Sequence, residues 1–63
     1  MRKVQVNAMV AEAIDNLMKA QPGRPSSERQ AFRQKANEIL AQLTIVDLRK
    51  MDDELLHMLG LYV

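Results

Sequence analysis

A chain of 63 residues makes one domain at most, and a chain this short buries only about 60% of the surface that its unfolded form exposes, which leaves a thin stability margin. With no cysteine, disulfides and thiolate metal sites are excluded as staples and oligomerisation remains, so a homodimer is the expectation. Nine basic against eight acidic residues give a net charge of +1, which excludes a uniformly basic, nucleic-acid-coating surface and confines any such contact to a local patch.

The opening "MRKVQVNAMV" alternates, and it supports two readings. Either residues 3–7 form a strand with Lys3, Gln5 and Asn7 on its open face and Val4 and Val6 behind, or the segment leads into a helix and its valines pack on the core. From Asn7 to Gln21 the pairs Met9 and Val10, Ala13 and Ile14, Leu17 and Met18 recur every four residues, with Glu12, Asp15, Asn16 and Lys19 between them. That period predicts an amphipathic helix over 7–21, capped by Asn7 and stopped before Pro22. "PGRPSS" predicts a turn over 22–27, and Ser27 followed by Gln30 has the capping-box spacing that opens a helix over 28–43. Its stripe is Phe32, Ala36, Ile39 and Leu43, widened by Leu40.

Thr44 followed by Asp47 repeats the capping-box pattern and predicts a corner at Leu43 and Thr44. A third helix follows over 45–59, in which Leu48, Met51, Leu55, Met58 and Tyr62 are spaced three, four, three and four, the period of a packing seam. Leu56, Leu59 and Val63 form a second stripe beside it, and Gly60 fits a left-handed stop. If this helix breaks, Met51 and Asp52 are the place, since Asp52 is itself a capping residue type. The methionines Met9, Met18, Met51 and Met58 fall on apolar stripes and are expected to be buried.

"VQVN", a helix ending at "GRPSSE" and a second helix containing "AFRQKA" follow the order strand, helix, Gly-containing turn, Ser-capped helix, and over about two-thirds of the chain this resembles the ribbon-helix-helix DNA-binding family. The resemblance implies a transcriptional regulator in which Lys3, Gln5 and Asn7 read bases from a two-chain ribbon. It also implies a phosphate held at the start of the second helix near Ser26 and Ser27, with Arg24 and Arg29 as further backbone contacts. Residues 44–63 have no counterpart in the minimal form of that family. A helix-turn-helix made from the second and third helices is disfavoured, because the junction is too short and the would-be reading helix carries four carboxylates.

Chemistry is sparse elsewhere. "ELLH" sets Glu54 and His57 three apart on one helical face, as in carboxylate-bridged di-metal bundles, but nothing in the sequence places Glu12 or Glu38 beside them, so a surface pair of His57 with Asp53 is preferred and no metal or cofactor is expected. One histidine, no cysteine and no glycine-rich phosphate loop argue against catalysis, and a domain this small has little room for a ligand pocket. No apolar run approaches the roughly 18 residues of a membrane span and the amino terminus lacks a signal peptide's apolar core, so no membrane partner and a cytoplasmic location are expected. Residues 22–43 carry a net +2 and residues 44–63 a net −2, giving a basic middle and an acidic tail.

The reading is therefore an all-α domain of three helices spanning 1–63, homodimeric, non-enzymatic, an interaction or regulatory protein that binds itself and a partner protein. Leu48, Met51, Leu55, Leu56, Met58, Leu59 and Tyr62 are its expected interface. The alternative is the ribbon-helix-helix regulator with a strand at 3–7.

Overall fold

Val6, Val10 and Ile14 stand four residues apart, and on a helix that spacing puts all three on one stripe. In the computed structural model, which describes residues 2–62, this stripe is fully inside and α1 runs over Lys3–Lys19. Three further helices follow: α2 over Ser26–Leu40, α3 over Ile45–Lys50 and α4 over Asp53–Tyr62, with no strand among the described residues.

The strand that the alternative reading places at 3–7 is instead the first turn of α1, and the ribbon-helix-helix alternative falls with it. The physical reason is the position of Val6: it reaches the core only when the backbone is helical from Lys3 onward, in register with Val10 and Ile14. Asn7 is accordingly not a cap. The helix opens instead at Arg2, whose N–H donates to the Gln5 side-chain carbonyl at 3.0 Å, the return half of a capping box.

At its other end α1 closes through the Ala20 N–H, which donates to the carbonyls of Asn16 and Leu17. Gly23 adopts φ 115°, a backbone state that side chains with a Cβ rarely enter, and so turns the chain back between two prolines. α2 begins two residues earlier than its capping-box spacing suggests. Pro25 takes the cap position with its ring-fixed φ of −55°, its carbonyl receives the Arg29 N–H at 3.1 Å, and Ser27 lies within the first turn instead of ahead of it.

The core has two parts that share α1. On one side Val6, Val10 and Ile14 meet Met51, with Leu43, Leu48, Leu55 and Met58 packed around them. On the other, Ala13 and Leu17 meet Ala36 and Ile39 of α2, flanked by Met9 and Leu40. Leu59 and Tyr62 touch both parts, which explains why α4 continues through Gly60 to Tyr62: stopping at Gly60 would leave the Tyr62 ring outside the core. Asn16 is buried among these residues and is satisfied within its own helix, its Nδ2 donating to the Glu12 carbonyl at 2.8 Å. Met18, expected inside, is half exposed, because Ala13, Leu17 and Ala20 already fill the face toward α2.

Thr44 caps α3 as its spacing predicts. The Asp47 N–H donates to Thr44 Oγ1 at 3.1 Å, and the Thr44 N–H and hydroxyl donate to Asp47 Oδ2 at 3.1 and 3.0 Å. The single helix expected over 45–59 is divided: Met51 is extended with ψ 159°, and α4 starts at Asp53. The division falls at the Met51 and Asp52 step that the sequence marks as its weak point.

Candidate interaction surface

The division between α3 and α4 exists because α1 reaches into it. Breaking a helix orphans backbone donors, and the Asp52 N–H is met by Asn7 Oδ1 at 3.1 Å. Asn7 Nδ2 returns a bond to Asp52 Oδ2 at 3.1 Å, and Lys3 Nζ lies 2.7 Å from Asp52 Oδ1. Lys3 and Asn7 are four apart on a helix, hence on one face, so one carboxylate engages both. The bond to Asp52 and its negative charge raise the Lys3 amine above its ordinary value. At α3 the Thr44 N–H, with help from the Thr44 hydroxyl, holds the Asp47 carboxyl below the usual carboxylate range.

Lys3, Gln5 and Asn7, the residues that the ribbon reading assigned to DNA bases, are thus spent inside the chain, on Asp52, on the Arg2 backbone and on Asp52 again. Arg24 lies over the Phe32 ring at 5.5 Å from its centroid, with Lys19 at 5.7 Å, and Arg29 Nε donates to the Arg24 carbonyl at 3.1 Å. Ser27 is exposed on the first turn of α2, and Arg29 borders a small hollow with Ser26, Gln30 and Arg33.

The expected interface is divided in the same way. Met51 is 5% exposed and belongs to the core, while Leu48, Leu55, Met58, Leu59 and Tyr62 are half-buried against α1. Only Leu56 of that set stands open, at 50% exposure. Ile45 at 70%, Val46 at 61% and Leu61 at 70% join it as large apolar side chains in water. Sequence reasoning passed over Ile45 and Val46, although two β-branched residues directly after a helix cap, outside the three-four seam, are the available signal.

An open groove of about 400 Å³ lies between α1, α2 and the end of α4, lined by Leu17, Ala20, Gln21, Arg33, Asn37, Leu40 and Tyr62. That is more room than the chain's length suggested. Its lining holds no nucleophile beside a base. Glu54 and His57 are both exposed on α4, and among the described residues no three His, Asp or Glu side chains converge as metal ligands would. Among the described residues no helix is long and apolar enough to cross a membrane. No family model, curated protein or solved structure matches the chain.

Proposed function

We propose that this chain is a non-enzymatic interaction protein that works by homodimerisation and by offering its carboxyl-terminal helices to a partner protein. The observation that carries the reading is the concentration on α3 and α4 of four of the six large apolar side chains exposed among the described residues, Ile45, Val46, Leu56 and Leu61. The other two, Val4 and Met18, stand apart on α1, Val4 pointing to water where the sequence had both opening valines on the core. A 63-residue chain without disulfides has little stability to spare, and leaving four large apolar side chains half or more in water forgoes a good part of the roughly 1.5–3 kcal/mol that full burial of each contributes. α4 in particular has no fully buried residue although it is the most apolar helix, which is the profile of an element that finishes its burial against another molecule. The working surface is thus Ile45, Val46, Leu56 and Leu61, while Leu48, Leu55, Met58, Leu59 and Tyr62 hold α3 and α4 to α1.

Sedimentation equilibrium tests this. Wild-type protein is expected to dimerise at tens to hundreds of micromolar, and the pair Ile45→Asp with Leu56→Asp is expected to remain helical and become monomeric. A wild-type protein that stays monomeric across that range overturns the reading.

A further inference from the structure

We propose that the dimer forms by exchange of α4, with α3 and α4 straightening into one helix that lays its second half on α1 of another copy. The proposal rests on the self-association argued above and names its route. Its first support is a disagreement between sequence and fold. Leu48, Met51, Leu55, Met58 and Tyr62 keep one uninterrupted seam spacing across the break, and "RKMDDE" contains neither proline nor glycine, so nothing local forbids a continuous helix there. What holds the break is tertiary: the Asn7 amide takes the Asp52 N–H, a donor that an unbroken helix would give to the Leu48 carbonyl.

The charges around the break suit both states. Arg49 and Lys50 end α3 and Asp53 and Glu54 begin α4, each favourable to its own terminus. In an unbroken helix the same residues form the four-apart pairs Arg49 with Asp53 and Lys50 with Glu54. A two-residue hinge between packed helices is the geometry from which copies trade an element, and the trade is cheap because the bed for α4 is already built: each contact of Leu55, Met58, Leu59 and Tyr62 with α1 is remade between chains.

Straightening also accounts for two of the exposed residues, Ile45 and Leu56. Ile45 and Leu56 are eleven positions apart, three helical turns to within about 20°, so one continuous helix sets them on a single face. That face stands beside the seam and is the one that two such helices present to each other where they cross at the hinges. In the broken form the two side chains belong to separate helices and both remain in water.

The test uses the full chain in three forms. In wild-type dimer prepared from mixed isotope-labelled and unlabelled protein, interchain nuclear Overhauser effects are expected from Val6, Val10 or Ile14 of one copy to Leu55 or Met58 of the other. Asp53→Pro is expected to keep its helix content and to weaken the dimer at least tenfold, since proline suits the first residue of α4 and is barred from the interior of an unbroken helix. Asn7→Ala removes the contact that holds the break and is expected to tighten the dimer severalfold. A dimer lacking those interchain effects, or an Asp53→Pro protein that dimerises like wild type, overturns exchange while leaving self-association in place. A wild-type protein that stays monomeric to hundreds of micromolar overturns both. The effects in wild type decide the matter even if Asp53→Pro fails to fold.

Discussion

Thr44 and Asp47 give the most localised forecast. Their mutual bonds satisfy the first donors of α3, so Thr44→Ala is expected to cost about 1 kcal/mol in a urea titration. Asp47 sets an acid limb: its folded value is depressed, so its contribution is present above the unfolded value of about 3.9 and is lost as pH falls through the folded value. Denaturant midpoints measured between about pH 5 and about pH 2 should therefore decline less steeply for Asp47→Asn than for wild type. Lys3 runs the other way. Its value is raised by Asp52, so its contribution holds below the unfolded value and fades only in strong alkali, above the unfolded lysine value. Gly23 at φ 115° is the remaining single-residue constraint, and Gly23→Ala should destabilise by about 1–2 kcal/mol although no atom lies within 4 Å of the added carbon, because the cost is in the backbone. Both the Thr44 cap and the proline-flanked turn were legible in the sequence, since each is written in fewer than six consecutive residues. Asn7 was misread because its partner, Asp52, lies far along the chain.

At the scale of helices, the spacing of apolar residues located α1 and α2, ran α3 and α4 together as one helix, and fixed the ends poorly, with α2 closing at Leu40 where its stripe ran on to Leu43. α1 begins four residues before its expected start because burying Val6 outweighs the cap that Asn7 offered, and α4 passes Gly60 because Tyr62 has two halves of the core to touch. Gly60 is thus a glycine inside a helix with open space around it, where its flexibility only weakens the helix. Gly60→Ala should raise stability by about 1 kcal/mol, visible as a rise of several degrees in the thermal midpoint by circular dichroism.

On the scale of the whole molecule, two pairs of substitutions on the same helix should part company. Leu55→Asp with Leu59→Asp places carboxylates against α1 and should leave a largely unfolded chain by circular dichroism. Leu56→Asp with Leu61→Asp alters only exposed positions and should leave helix content unchanged. The sequence by itself determined the all-helical class, the α1 to α2 turn and the Thr44 corner, because these follow from periodicity, capping and turn residues within a few positions of one another; it marked Met51 and Asp52 as a weak step but ran the helix through them. It parted the apolar residues of the tail into a seam and a second stripe but assigned both to one interface. Only the tertiary structure decided which of them the chain spends on itself, since that depends on α1 lying between α2 and α4 with Val6, Val10 and Ile14 turned to one and Ala13 and Leu17 to the other. The same placement carried Lys3 and Asn7 to Asp52, across a separation over which local spacing specifies nothing.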